Sequence, residues 1–441
     1  MRKVISITIV IIIMSLSIFS FTTCKSEFRT SNSDVNLKEV NDEKNLKSSD
    51  NYVISGKVVF ASNFSTIVWR DFIIEFNEKY PDIEIVIENH EDFTKVMKEK
   101  IAANNLADVW TVHAEYYSKQ QLTDSSLQLD EVFDFTDDYI GYEPFLGANS
   151  KIRALPLGVT TSGIVYNKKL FEELGLEVPK TIRKFIEVGK KLKKAGKVGL
   201  MTSSKANWPM KYWWQDIPKT ISGDGNILNN LTDEEEPFKD GNEVIESYKI
   251  FKRLVDADIM EDDPLVADWE PMRKSFKDGN VGMAFLGPWF IPQVTDEGST
   301  LVTEDVGIFP FPYNDNKGSK NVVIQPDVAV SISKNSKNTD AAKVWVDFIL
   351  NEKYSEVVKV LGFMSARPSR KVDLNFIKEF ESYNPNKLDV VVDSNDLKKI
   401  TSSIPNFNYN DIAVDIIKGK DINTIFNELN KKWKIAKDAS N

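Results

Sequence analysis

The sequence predicts an α/β protein built in two lobes. Three observations predict it: strand-like and helix-like segments alternate from residue 53 onward, the alternation restarts near Gly163, and 441 residues with 41% hydrophobic content suffice for two packed cores. Val53 to Ala61 is a β-branched and aromatic run that reads as a strand. Trp69, Phe72, Ile73 and Phe76 then recur at helical spacing until Tyr80-Pro81 stops them. Ile83, Ile85 and Ile87 interleave with Glu84 and Glu88, as in a strand with one wetter face, and Phe93, Val96, Met97 and Ile101 form the next helical stripe. Val109 to Val112 and Ile152 to Val159 read as further strands, so the sheet is expected to be largely parallel. Gly163 to Tyr166 restarts the pattern, and Pro179 and Thr181 open a helix whose apolar face carries Phe185, Val188 and Leu192.

Composition removes several classes of function. The net charge is −10, from 56 basic and 66 acidic residues, so a phosphate backbone is repelled and nucleic acid is not an expected partner. The one cysteine, Cys24, excludes an internal disulfide and any thiolate-built zinc or iron–sulfur site. With two histidines, His90 and His113, no site of several imidazoles is available, and no HExxH occurs. The nucleophile-elbow, phosphate-loop and dinucleotide-binding motifs are also missing, so neither catalytic residues nor a cofactor or metal are expected. A glycosidase is the serious enzymatic rival, because it needs two carboxylates and 66 acidic residues offer many pairs. A surface protein that grips macromolecules would need an exposed apolar or charged patch, and no run of residues marks one.

At the N-terminus, Arg2 and Lys3 precede an uncharged run from Val4 to Phe21, followed by Thr22, Thr23 and Cys24. Residues 1–24 read as an export signal, with a retained membrane anchor as the competing reading on length alone. Cys24 sits as in the lipobox of bacterial lipoproteins, with Phe21 where Leu is preferred and Thr23 where Gly or Ala is. That resemblance implies acylation of Cys24. Residues 25–52 are rich in Ser, Asn, Asp, Glu and Lys and read as a flexible tether.

Tyr80-Pro81-Asp82-Ile83, Ala107-Asp108-Val109 and Leu155-Pro156-Leu157 begin a longer pattern. It continues through Val165-Tyr166-Asn167-Lys168-Lys169-Leu170-Phe171, Gly175-Leu176 and Pro179-Lys180-Thr181. Later come Phe276-Lys277-Asp278-Gly279-Asn280-Val281-Gly282-Met283, Gly287, Trp289, Phe309-Pro310-Phe311-Pro312, Ala341 to Leu350, Gly362 and Arg367-Pro368. By their order and spacing the chain resembles the family 1 extracellular solute-binding proteins, the group that includes maltodextrin-binding and multiple-sugar-binding proteins. It departs from their pattern at Ile182 and Arg183, at Asn280 and at Gly223-Asp224-Gly225.

The resemblance implies a two-lobed, periplasmic binding protein-like (type II) fold with a hinge and an interlobe cleft. Lobe one would hold residues 53–158 and 320–352, and lobe two residues 159–319 and 353–441, with crossings near Gly158, Lys320 and Lys353. It also implies an exported, membrane-anchored monomer facing the periplasm or cell exterior. This would be the non-enzymatic subunit of an ABC importer that hands a sugar or oligosaccharide to permease subunits, while separate subunits spend ATP. A non-sugar solute such as a glycerol phosphodiester is the alternative ligand.

A sugar presents apolar C–H faces and polar edges, so indole rings beside carboxylates and amides suit it. Trp69, Trp345 and Trp433 lie on helical stripes and read as core. Trp208, Trp213, Trp214, Trp269 and Trp289 lie in segments of weak periodicity, and Trp208, Trp213, Trp269 and Trp289 are candidates for the cleft, each with a core-filling alternative. Asn63 and Phe64 follow the first strand, and His113, Glu115 and Tyr116 follow the third, where cleft loops belong. The family often has a carboxylate at the place of Glu115, whereas Asp108 reads as structural. Asp327 precedes the strand from Val328 to Ile332 and would face the cleft. Arg367 either reaches the cleft or caps the helix before it.

Overall fold

Among the residues that the computed structural model describes, 54–316, 320–388 and 391–440, twelve strands fall into three sheets. In chain order the first six are β1 (Gly56–Ala61), β2 (Ile83–Glu88), β3 (Val109–Val112), β4 (Leu155–Pro156), β5 (Val159–Thr161) and β6 (Gly163–Asn167). The remainder are β7 (Val198–Met201), β8 (Val281–Leu286), β9 (Val306–Phe309), β10 (Asn321–Pro326), β11 (Ala329–Ile332) and β12 (Asn386–Leu388). Cys24 and the expected tether 25–52 lie outside the described residues.

Lobe one is built on the sheet β2-β1-β3-β11-β4. β1 is parallel to β2 and β3, which the helices Thr66–Lys79 and Phe93–Ala102 connect across opposite faces, each packing in its own core cluster. Their apolar stripes explain why they form: Trp69, Phe72 and Phe76 are buried on the first, and Phe93 and Met97 on the second. Phe60 of β1 meets Trp69 edge-on at 5.0 Å, and Trp345, from the helix Thr339–Asp347, packs on Phe76 at 5.1 Å. Such edge contacts suit the aromatic quadrupole and add to the area buried.

The sheet is mixed rather than largely parallel. β11 lies antiparallel to both β3 and β4, because the chain returns from lobe two and enters the sheet from the cleft end. Lobe two is built on β7-β8-β6-β9, in which only β7 and β8 run parallel. The helix Ile182–Lys194 covers it, capped by the Thr181 hydroxyl accepting from the Lys184 amide at 3.2 Å.

Between the lobes β5 pairs antiparallel with β10, joining Thr161 to Ile324 and Val159 to Pro326. The run from Ile152 to Val159 is therefore two short strands, β4 inside lobe one and β5 in the crossing, parted by Gly158. A Cβ on Gly158 would stand 2.6 Å from that of Phe363, so only glycine lets these segments approach. Met364 bridges to Val159. The third crossing does not fall near Lys353: Tyr354, Val357, Val358, Leu361, Phe363 and Ala366 pack in lobe one's core, and the chain enters lobe two's core at Leu374 and Phe376. Periodicity reveals that the helix Tyr354–Leu361 has an apolar face but not which core receives it.

Gly362 ends that helix in the left-handed region at φ 69°, and an added Cβ would stand 2.8 Å from Pro292 and 3.0 Å from the Pro288 carbonyl of lobe two. Gly362→Ala is expected to cost about 1–3 kcal/mol in urea denaturation, from backbone strain plus overpacking at the hinge. Gly419→Ala, with φ 86° and open space around it, is the control and should lose less.

Candidate functional site

The parallel strands β1, β2 and β3 all end toward the space between the lobes, where an open α/β sheet places a ligand. That space is a cleft of about 420 Å³. Lobe one supplies Asn63 and Phe64 after β1, the stretch His90 to Thr94 after β2, and His113, Glu115 and Tyr116 after β3. The crossings form the floor with Thr160, Thr161, Ser162 and Gln325, and Asp327 stands beside them. Lobe two contributes Trp208, Lys211, Tyr212, Trp269, Trp289 and Gln293.

Three indoles make the lobe-two wall. Trp208 lies 4.8 Å from Trp269 and 5.9 Å from Trp289, which is 6.1 Å from Trp269, each pair tilted or edge-on. Gly287 permits this, because a Cβ there would come within 2.4 Å of the Trp289 ring nitrogen and 2.7 Å of the Thr160 hydroxyl. Trp208 is presented by a turn that holds Ser203 at φ 52° and Asn207 at φ 67°, both left-handed. The buried carboxylate of Glu261 secures that turn. It accepts from the Thr202 amide at 2.6 Å, the Ser203 amide at 2.9 Å and the Thr202 hydroxyl at 2.9 Å. Burial pushes the Glu261 carboxyl up even against these bonds.

Across the cleft Glu115 Oε1 stands 3.6 Å from Lys211 Nζ, and on the lobe-one side His113 Nδ1 stands 3.7 Å from Asp327 Oδ1. The crowded cleft walls desolvate Glu115, which alone would raise its carboxyl. Lys211, His113 and the Tyr116 hydroxyl outweigh that and hold it below the usual carboxylate range. Burial likewise opposes the Lys211 charge, yet Glu115, Tyr212 and Asp327 keep its ammonium well above the ordinary lysine value. Burial, then the Glu115 charge, raises the phenols of Tyr116 and Tyr409. Asp216 is fully buried below Lys211, and burial raises its carboxyl as well.

Asn63, His113, Glu115, Tyr116, Trp208, Trp269, Trp289 and Asp327 therefore come together on one cleft. Trp213 and Arg367 do not. Trp213 belongs to the helix Tyr212–Gln215 and is buried against Phe251 at 4.8 Å, Phe285 at 5.6 Å and Phe311 at 5.8 Å. Arg367 is 4% exposed inside lobe one, where Nε donates to Asp138 at 2.8 Å and Nη1 to the Leu350 carbonyl at 2.9 Å. Its guanidinium also lies over the rings of Phe135, Tyr139 and Tyr354. Lys211, Tyr212 and Gln293 line the cleft without having stood out in the sequence. The available signal was the run from Trp208 to Trp214, in which Lys211 is the one charge. Among the described residues no three His, Cys, Asp or Glu side chains are grouped to hold a metal ion, and no helix is long and apolar enough to cross a membrane.

Two α/β lobes joined by a hinge, with a polar and aromatic cleft between them, define a binding protein of the two-lobed type. Residues 62–356 match the model of the bacterial extracellular solute-binding proteins, and the chain belongs to that family. It is 23% identical over 301 residues to the multiple sugar-binding protein of Streptococcus mutans, covering 65% of this chain and 70% of that one. It is 26% identical over 268 residues to the maltotriose-binding protein of Pyrococcus abyssi, covering 58% of this chain and 54%, about half, of that relative. Among solved structures, a binding protein of an ABC transporter from Bifidobacterium animalis subsp. lactis, in complex with mannobiose, superimposes with a TM-score of 0.74 at 24% identity, covering 88% of this chain and 95% of that one.

Arg367→Ala leaves Asp138 without its cation and should destabilise the fold by about 2–3 kcal/mol at neutral pH, since the arginine is buried and the carboxylate partly open to water. Partial burial works to raise the Asp138 carboxyl, but the Ser369 hydroxyl and Arg367 outweigh it and depress it. That stabilisation is full above the ordinary aspartate range near about 4 and is lost as pH falls through the depressed value. Urea midpoints measured between neutral and acid pH should therefore converge for wild type and variant, while cleft ligands bind both alike.

Proposed function

We propose that this chain captures a sugar or short oligosaccharide in the interlobe cleft and delivers it to the permease subunits of an ABC importer. The observation that carries the reading is the wall of Trp208, Trp269 and Trp289 facing Glu115, His113 and Asp327 across the cleft. Indole faces suit the C–H surface of a pyranose, and carboxylates and amides at the rim accept and donate to its hydroxyls. Asn63 and Tyr116 extend that polar rim. Closure follows because a ligand that touches both walls favours the state in which both contacts exist. The carbohydrates in the names of the relatives, multiple sugars, maltotriose and mannobiose, agree with this choice.

The charges weigh against a phosphodiester. Glu91, Asp92, Glu115 and Asp327 line the cleft, and its one lysine is already committed to Glu115. An anionic solute would meet mostly carboxylates, whereas a neutral polyol makes hydrogen bonds without adding charge. Titration calorimetry and thermal shift across neutral oligosaccharides, glycerol phosphodiesters, amino acids and peptides test the reading. A neutral oligosaccharide should raise the melting temperature and remain intact; cleavage of it would mark a glycosidase, and a response confined to phosphodiesters would reverse the assignment. Trp208→Ala and Trp289→Ala should each weaken binding of that oligosaccharide more than tenfold, about 1.4 kcal/mol.

The export signal of residues 1–24 and the tether 25–52 place this capture outside the membrane on an acyl chain at Cys24, above the permease. Cys24→Ala should move the protein from the membrane to the soluble fraction; a variant still sedimenting with membranes would return the retained-anchor reading.

A further inference from the structure

We infer that Lys211 is a closure-determining residue, whose ion pair with Glu115 latches the two lobes together before any ligand bridges them. The inference rests on the hinge reading given above. Among the described residues, the Glu115–Lys211 pair is the one ion pair that runs from lobe one to lobe two. Neither partner is free to follow the other when the cleft opens. Glu115 sits in the single helical turn Ala114–Tyr116 fixed to the end of β3, and Lys211 closes the turn Trp208–Lys211, which the helix Tyr212–Gln215 continues and which follows the turn that Glu261 holds at Thr202 and Ser203. Opening the hinge therefore separates the two charges, and closing it restores them to 3.6 Å.

The surroundings make that separation matter. Lys211 keeps 18% of its side-chain surface exposed and Glu115 37%, so the pair sits in a narrow wet cleft and not in dry protein. There the attraction is stronger than between open surface charges, and the desolvation cost is smaller than in a core. The net effect is a modest bias on the hinge, of the size that decides a two-state equilibrium near balance. Asp327 and Tyr116 from lobe one reinforce the cation, while Tyr212 and Tyr409 complete its lobe-two side. At 3.6 Å the ammonium is drawn to Glu115 without a short hydrogen bond.

A latch and a ligand contact predict different losses. If Lys211 only touched the ligand, its removal would leave the ligand-free protein as it is and would penalise some sugars more than others. As a latch, it sets the fraction of ligand-free protein already closed, and apparent affinity scales with that fraction whatever the ligand. Removing it then weakens every ligand by one common factor, roughly three- to tenfold.

The test measures the distance between the lobes in ligand-free protein. Spin labels are attached at Ile74→Cys on lobe one and Val266→Cys on lobe two, both exposed, in the full chain carrying Cys24→Ser. Pulsed electron resonance is then recorded with and without maltotriose. Lys211→Met and Glu115→Gln remove the pair from opposite sides and should both shift the ligand-free distribution to longer separations, guarding against a folding defect in either. The exchange Glu115→Lys with Lys211→Glu should shift it back. Ligand-free distances that stay at the wild-type value in both single variants, while maltotriose shortens the wild-type distance, would overturn the latch and leave the capture function standing. One fixed distance in every sample, repeated with whichever oligosaccharide raises the melting temperature, would overturn both.

Discussion

Three chain segments cross side by side between the lobes, and the hydrogen-bonded pair β5 and β10 is the constraint on which the rest depends. Antiparallel pairing holds the crossings in register, so the lobes rotate about a short ribbon instead of drifting on independent linkers. Met364 adds the third segment through its bridge to Val159, and Gly158 and Gly362 let these backbones pack within the reach of a missing Cβ. Because β5 and β10 carry Thr160, Thr161 and Gln325 into the cleft, with Ser162 just beyond β5, the hinge is also the floor of the site. The crossing strands and the cleft floor therefore share residues.

The two walls that meet over this floor are chemically unlike. Lobe one brings carboxylates, imidazole and amide from loops that end parallel strands, and lobe two brings three indoles and a lysine from short helical turns and helix starts. Rings tilted on one another bury part of each indole while leaving a face toward the cleft, which limits the cost of keeping tryptophan near water. Holding them needs a small residue at Gly287 and a left-handed turn pinned by Glu261. Aromatic area supplies contact that changes little with geometry, whereas the charges opposite it respond steeply to the distance between the lobes.

Helical and strand periods made most elements of the first half visible, and the residues just beyond β1 and β3 were legible as cleft residues because strand ends in an α/β sheet point there. The direction of β11 and the place of the third crossing were not. Both depend on which core a given apolar face meets, and Tyr354, Val357 and Leu361 would look the same in either. The tryptophans show the same limit within a few residues. Trp208 and Trp213 share one irregular segment, yet Phe251, Phe285 and Phe311, distant in sequence, bury the second and leave the first on the cleft. From sequence Arg367 either reaches the cleft or, the favoured reading, caps the helix before it; Asp138 and three aromatic rings hold it inside lobe one and away from the cleft. Lys211 escaped notice because a lysine is ordinarily a solvated charge, and only the lobe opposite turns it into a partner.

Several buried polar groups without a protein partner lie along the cleft. Asn63 and Thr160 line the cleft with side-chain oxygens that find no protein hydrogen bond, and Ser203 and Asn207 do the same in the turn behind Trp208. Asp216, fully buried under Lys211, lies near the Ser162 hydroxyl of the floor without a well-formed bond to it. Each such atom costs about 1–3 kcal/mol if nothing satisfies it. A chain shaped for stability alone would place apolar atoms there. Two left-handed residues, several unpaired oxygens and a buried carboxylate thus stand along or just behind the cleft, as expected where a surface is kept ready for polar contact at the expense of its own packing.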